Sequence, residues 1–141
     1  MEVILTGTGS PLPDANRAGP STLVKANDTH ILVDAGRGVV MRMAGADTLP
    51  LFLRAVLITH LHSDHICDLN DVITTHWIMS QGNTPLAIYG PPVIQEFVTR
   101  QLHALEADIG YRIEHHDALT HGPKVNVVEL APGESFELDD V

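Results

Sequence analysis

The sequence has a single cysteine, Cys67, among its 141 residues. An internal disulfide is therefore excluded, and so is a closed structural zinc site built from several thiolates. A lone cysteine is typical of proteins that stay in a reducing compartment, so we expect a cytoplasmic location.

Long apolar runs are absent as well, and none reaches the roughly 20 residues that a bilayer-spanning helix needs. The opening residues, MEVILTGTGS, contain neither a basic segment nor the apolar stretch that would follow it in a secretory signal. The sequence therefore predicts neither a membrane span nor a cleaved leader.

Basic residues are scarce: 8 lysines and arginines stand against 18 acids, which gives a net charge of −10. The bases are scattered along the chain, so a broad basic face for nucleic acid is excluded. A polyanionic substrate would have to be attracted locally, for example by bound metal cations. Aromatic residues are also few, and the 44% of hydrophobic residues indicate a core of aliphatic side chains.

The spacing of apolar residues predicts strands followed by helices in one domain over 1–141, without a linker or a repeat. We expect strands at 2–7, 53–60, 84–92, 109–116 and 124–130, a hairpin at 21–36, a further strand beginning at 134, and helices at 37–46, 64–79 and 93–105. Several strands are too apolar to have a solvated face, which favours a layered α/β fold covered on at least one side.

Four side chains of metal-ligand type follow the apolar strand at 53–60: His60, His62, Asp64 and His65. Residues i and i+2 of an extended segment point the same way, so the first two histidines could reach one ion. The chain then turns into a helix, from which Asp64 and His65 could reach a second ion nearby. Imidazole with carboxylate suits zinc, manganese or iron, and two such ions can stabilise charge on a phosphoryl or carbonyl oxygen.

The candidate residues outside this cluster give less indication of a catalytic or binding role. The chain has nine histidines, so some clustering by chance is expected. Four of the others could serve as further metal ligands, although none has ligand spacing: His103, His115, His116 and His121. Of these, His115 and His116 are interpreted as surface or site-adjacent residues. Arg17 either contacts a substrate anion or caps its loop. Cys67 is interpreted as a small core residue on the inner side of the helix at 64–79, rather than as a nucleophile.

The segment THLHSDH matches the H-x-H-x-D-H motif of the metallo-β-lactamase superfamily. Further segments resemble the ribonuclease Z branch, the tRNA 3′-processing endonucleases: ILTGTGSPLPDANRAGPSTLV, ILVDAGRGV, LITHLHSDHICDL and PLAIYGPP. The resemblance covers nearly all of the 141 residues.

This resemblance implies an αββα four-layer sandwich made of two similar halves, of which the chain would supply roughly the N-terminal one. It implies that His60 and His62 bind a first zinc ion and that Asp64 and His65 bind a second. Asp64 would also be the general base, and Asp34, in VDAG, would support the metal loop through hydrogen bonds.

The resemblance also places the remaining metal ligands and the tRNA-gripping arm downstream of every matched segment. We therefore expect a chain truncated at its C-terminus, with an apolar face that favours association, for example as a homodimer.

The expected activity is that of a metal-dependent hydrolase cleaving phosphodiester bonds, with a tRNA precursor as the substrate that the resemblance implies. Two alternatives stay open. One is the same dinuclear chemistry on another small ester, such as an aryl sulfate, a cyclic nucleotide or a lactone. The other is a catalytically incomplete fragment that needs a partner chain.

Overall fold

Six strands lie side by side in chain order in one mixed sheet. The computed structural model describes residues 1–138, and within them the strands are β1 (Glu2–Gly7), β2 (Ser21–Ala26), β3 (Thr29–Val33), β4 (Leu53–Leu57), β5 (Leu86–Gly90) and β6 (Val125–Glu129). β1, β2 and β3 pair antiparallel, whereas β3 to β6 pair parallel. The hairpin expected at 21–36 is confirmed as β2 and β3, joined through Asn27 at φ 53, a conformation that asparagine tolerates.

Helices fill the connections, because parallel neighbours need crossovers longer than a hairpin turn. They are α1 (Val39–Gly45), α2 (Ser63–Ile66), α3 (Leu69–Met79), α4 (Ile94–Ala104) and α5 (Glu106–His115), with a short 3₁₀ turn at Pro50–Phe52. In the part of the chain that the structure describes, no helix has the length and apolarity to cross a membrane.

One face of the sheet packs against the helices. The strand registers place one apolar residue of each strand in a row across this face: Ile4, Leu23, Leu32, Val56, Ile88 and Val127. Buried helix residues cover the row, among them Val39, Met43, Leu69, Val72 and Val98. This face contains the main hydrophobic core, so it accounts for most of the burial that stabilises the fold.

The opposite face of the sheet is mostly apolar and only partly covered; we call it the open face. Its registered rows are Val3, Val24, Ile31, Ala55 and Ala87, and Leu5, Thr22, Val33, Leu57, Tyr89 and Val128. Leu5 is 68% exposed there, whereas Leu138 packs on Ile31 and the Phe136 ring stacks on Tyr89 at 4.1 Å. One helix layer and one sheet with an apolar outer face are half of the expected four-layer arrangement.

The prediction of a strand at 109–116 is wrong, because nearly all of this segment lies in α5. Its apolar residues Leu105, Ile109 and Ile113 recur every four positions, which is helical spacing that the shorter alternation concealed. Arg112 Nε also donates to Asp108 Oδ2 at 2.9 Å, an i,i+4 pair that only a helix brings together. The strand expected to begin at 134 is not found over 134–138, and positions 139–141 lie outside the described residues.

The helix predicted at 64–79 is interrupted after α2. Asp68 accepts a hydrogen bond from the Gly38 N–H at 2.6 Å, and its own N–H donates to Ala35 O at 3.0 Å. These bonds to the loop after β3 divide the helical segment at Cys67 and Asp68. Cys67 is consequently exposed, and its prediction as a core residue was wrong.

Candidate metal centre

The four predicted ligands lie at the carboxyl end of β4, in the parallel part of the sheet. Directly after β4, the Ile58 N–H still donates to Tyr89 O at 2.7 Å. The segment from Thr59 to His62 then leaves the sheet and enters α2 at Ser63. In open α/β sheets this edge is where ligands bind, because the strand ends and loops form a crevice there.

His60 and His62 form the first pair of donors. Nε2 of His60 and Nδ1 of His62 lie 2.9 Å apart, and the two rings meet edge to face with centroids 4.6 Å apart. Two imidazole nitrogens bound to one tetrahedral zinc, each at about 2.0–2.1 Å from it, would lie about 3.3 Å from one another. The pair therefore fits one ion after a shift of a few tenths of an ångström.

Asp64 and His65 form the second pair. His65 Nε2 lies 3.8 Å from Asp64 Oδ2, while His65 Nδ1 is 2.7 Å from Asp34 Oδ2. An imidazole whose Nδ1–H is held by a carboxylate has its Nε2 lone pair free for an ion, which is the usual environment of metal-bound histidine. The ring centroids of His60 and His65 are 4.1 Å apart, so the two pairs are adjacent.

The Asp34 carboxylate is hydrogen-bonded to residues on both sides of the cluster, Thr59 and His65. Asp34 is 6% exposed and has φ 62, in the left-handed region that aspartate tolerates better than most residues. Its carboxylate accepts hydrogen bonds from the Thr59 N–H at 2.8 Å, from the Thr59 hydroxyl and from His65 Nδ1. Three donors therefore satisfy a buried charge that would otherwise destabilise the fold.

Close backbone packing fixes the metal loop against the loop after β3. Ala35 N–H donates to His65 O at 2.7 Å. A Cβ on Gly36 would lie 2.5 Å from Gly19 C and 2.7 Å from Asp64 O, so only glycine fits there. Sequence reasoning missed Gly36, Thr59 and Asp68, although all three lie within the segments that carry the family resemblance.

An open cleft of about 250 Å³ lies beside the cluster and shares Thr59 with it. Most of its other lining residues are apolar: Leu57, Ile58, Tyr89, Gly90, Pro91, Pro92, Leu130, Ala131, Pro132 and Phe136. Among the described residues, no lysine or arginine lines this cleft, so attraction of an anionic substrate would depend on the metal cluster.

The remaining candidates lie away from this cluster. Arg17 forms an ion pair with Asp14 at 3.7 Å, on an exposed loop. His103 pairs with Glu106 on the helical surface. Although Cys67 is exposed as a residue, partial burial of its thiol and the neighbouring Asp68 raise the pKa of that thiol, which keeps it a poor nucleophile.

Within residues 1–138, no group of three or more histidine, cysteine, aspartate or glutamate side chains is arranged to hold an ion. The described chain thus brings together two adjacent donor pairs. Each pair would need further ligands or water to complete a coordination shell of four.

Comparison with known proteins identifies the family of the chain. The family described as anti-Pycsar protein Apyc1 matches residues 1–141. The chain belongs to this family. It is also 53% identical over 142 residues to a ribonuclease Z of Mycobacterium sp. (strain KMS), an alignment that covers 100% of this chain and 50% of that protein.

Solved structures give the same fold. Human tRNase Z, short form, superposes with a TM-score of 0.71 and 26% identity, covering 94% of this chain and 45% of that one. The metallo-β-lactamase fold protein YhfI from Bacillus subtilis gives a TM-score of 0.69 at 24% identity, covering 97% of this chain and 48% of the other. The expected metallo-β-lactamase fold and the ribonuclease Z-like resemblance are confirmed, and the chain spans about half the length of the curated relatives that it matches.

Proposed function

We propose that residues 1–141 form one metallo-β-lactamase-like domain that contributes to a metal-dependent phosphodiesterase of the ribonuclease Z type. The observation that carries the proposal is the cluster of two donor pairs at the end of β4, supported from below by the buried Asp34. The identity of 53% to a ribonuclease Z supports the same activity class and makes a tRNA precursor the first substrate to test. The single cysteine supports a cytoplasmic location.

In this proposal His60 and His62 hold one ion, and Asp64 and His65 hold a second. Zinc is the first choice for a donor set of imidazole and carboxylate, with manganese or iron as alternatives. When bound, such ions lower the pKa of water and stabilise charge on a phosphoryl oxygen. Asp64 accepts the proton of the attacking water as general base, while Asp34 keeps the His65 ring in place through its 2.7 Å hydrogen bond.

A second candidate is the same chemistry on another small ester, such as a cyclic nucleotide, an aryl sulfate or a lactone. The observation that favours it is the family match over residues 1–141, which carries a name other than ribonuclease Z. The net charge of −10 also disfavours a large RNA surface.

We also propose that the open face of the sheet is covered by a second copy of the chain. The exposed Leu5 and Val3 on β1 give this face apolar area that an isolated chain would leave in water. Sedimentation velocity tests the proposal, since a monomer at all concentrations would contradict it. If the site is complete only in such an assembly, activity should rise with protein concentration.

Replacement of His62 by alanine tests the enzymatic proposal. His62 is exposed, so the variant H62A should fold normally yet lose hydrolysis of bis(p-nitrophenyl) phosphate and precursor tRNA by orders of magnitude. The matched control is H103A, which removes an exposed histidine of α4. Activity on the small ester alone would favour the second candidate, and no activity in the unaltered protein would favour the incomplete fragment.

A further inference from the structure

We propose that Thr59 is a positioning residue that fixes the tautomer of His60 and links it, through Asp34, to His65. The inference rests on the proposed metal binding and assigns a role to a residue outside the expected ligand set. Its basis is one hydroxyl group that lies within hydrogen-bond distance of both Asp34 and His60.

The Thr59 Oγ1 atom lies 3.0 Å from Asp34 Oδ1, 2.9 Å from Asp34 Oδ2 and 3.0 Å from His60 Nδ1. A hydroxyl has a single hydrogen to donate, and an ionised carboxylate can only accept. The Thr59 hydroxyl therefore donates to Asp34, and its lone pair accepts a hydrogen bond from His60. This arrangement requires the hydrogen of the neutral His60 ring to be on Nδ1.

That tautomer leaves the lone pair of His60 on Nε2. Nε2 is the atom that faces His62 Nδ1 at 2.9 Å, so the lone pair points to where the first ion of the proposed site would be held. The opposite tautomer would place a hydrogen on Nε2 and prevent it from ligating. Thr59 thus fixes the orientation and tautomer of the His60 ring, as a directly bonded carboxylate does for many metal-bound histidines.

The Asp34 carboxylate consequently orients one histidine of each donor pair, His60 of the first and His65 of the second. Asp34 holds His65 directly, at 2.7 Å from Nδ1, and holds His60 through the Thr59 hydroxyl. The Thr59 N–H also donates to Asp34 at 2.8 Å, so the backbone bond fixes the residue whose side chain makes the link. Disturbing the hydroxyl should affect His60 and leave the direct bond to His65 intact.

Two substitutions separate the hydroxyl from the shape of the side chain. T59V keeps the β-branched shape and removes the hydroxyl, whereas T59S keeps the hydroxyl. Because Thr59 is exposed, neither should disturb the core. T99V is the matched control: Thr99 is exposed on α4, and its hydroxyl donates to Gln95 O within the same helix.

The first measurement is the ¹⁵N spectrum of the histidine rings in the metal-free full chain. We expect a His60 ring protonated at Nδ1 in the unaltered protein, T59S and T99V, and a mixture of tautomers in T59V. The second is zinc affinity by competition with a chromogenic chelator. We expect T59V to bind zinc about 10- to 100-fold more weakly, the typical effect of losing such a supporting partner, and T59S to stay within a few-fold of the unaltered protein.

A His60 ring protonated at Nδ1 in T59V, or unchanged zinc affinity in T59V, would overturn the role of Thr59. Absence of zinc binding in the unaltered protein would instead overturn the proposed metal site, and the ring spectra would still decide the Thr59–His60 bond. If T59V fails to fold, T59A provides the same comparison with a smaller side chain.

Discussion

Asp34 is the residue whose replacement should separate the stability of the fold from the competence of the proposed metal centre. The asparagine variant D34N retains the side-chain shape and the tolerance of φ 62, but it replaces one carboxylate oxygen by an NH₂ group. The oxygen that remains can still accept from the Thr59 N–H. The NH₂ group then faces His65 Nδ1, which in the unaltered protein is 2.7 Å from Asp34 Oδ2.

The expected cost to folding is small. A hydrogen bond to a charged group contributes about 1.5–3 kcal/mol and a neutral one about 0.5–1.5 kcal/mol, so D34N should lose about 1–2 kcal/mol of unfolding free energy. Alanine at this position would leave the donors of Thr59 and His65 without their acceptor, and it tolerates φ 62 less well than aspartate or asparagine. We expect D34A to lose more stability than D34N, about 1–3 kcal/mol for each buried donor left without an acceptor.

The expected effect of D34N on metal binding is large. The His65 ring must move its hydrogen from Nδ1 to Nε2 in order to accept from the NH₂ group of asparagine. Nε2 then carries a hydrogen on the side that faces Asp64, where the second ion is proposed. Zinc affinity at the second pair should therefore fall about 10- to 100-fold.

Urea unfolding of the metal-free chain measures the stability terms, and chelator competition measures zinc affinity. The reasoning predicts that D34A is the less stable variant and that D34N, although nearly as stable as the unaltered protein, binds zinc poorly. Zinc binding of D34N equal to that of the unaltered protein would refute the tautomer argument. Equal stability losses in D34N and D34A would refute the hydrogen-bond argument.

Two further predictions concern packing and pH. G36A should lose about 1–3 kcal/mol of unfolding free energy because its Cβ would contact the backbone of Gly19 and Asp64. G110A is the control: a Cβ at this position of α5 would have nothing within 4 Å, so the variant should gain about 0.5–1 kcal/mol. Urea unfolding of both variants measures the difference, and a G36A variant as stable as the unaltered protein would contradict the packing argument. His76 is 1% exposed, its Nε2 has no hydrogen-bond partner within residues 1–138, and burial lowers its pKa from 6.5. As the pH falls, the unfolded chain therefore takes up this proton before the folded one, so the contribution of neutral His76 to stability is complete above about pH 6.5 and decreases below it. H76L should consequently lose less stability than the unaltered protein between about pH 7 and pH 5, and equal pH dependence would exclude His76 as the cause.

Much of the fold follows from local patterns in the sequence. Apolar runs punctuated by glycine, proline and asparagine predicted all six strands, β1 to β6, with β6 at nearly its observed bounds. Helical spacing predicted α1 and α4 in the same way. The donor cluster is equally local, because His60 to His65 are neighbours in the chain, and their position behind an apolar strand was sufficient to expect them at its end.

The incorrect predictions concern segments whose local pattern is ambiguous or whose structure depends on contacts with residues distant in the chain. The segment of α5 is short and amphipathic, and its few apolar residues match either a strand or a helix until the i,i+4 pair of Asp108 and Arg112 is formed. The break between α2 and α3 depends on bonds from Asp68 to Ala35 and Gly38, residues that lie about thirty positions earlier in the chain. The periodicity of the helix itself contains no information about those partners.

The sequence by itself determined which residues could bind metal and that they follow a buried strand. Only the tertiary structure decided what holds them. The parallel register of β3 and β4 pairs Val33 with Leu57, which brings Asp34 beside Thr59 and His65 although 25 and 31 residues separate them. Hydrogen bonds across such distances exist only when the sheet has formed, so the arrangement of donors around Asp34 is a property of strand pairing and not of the motif.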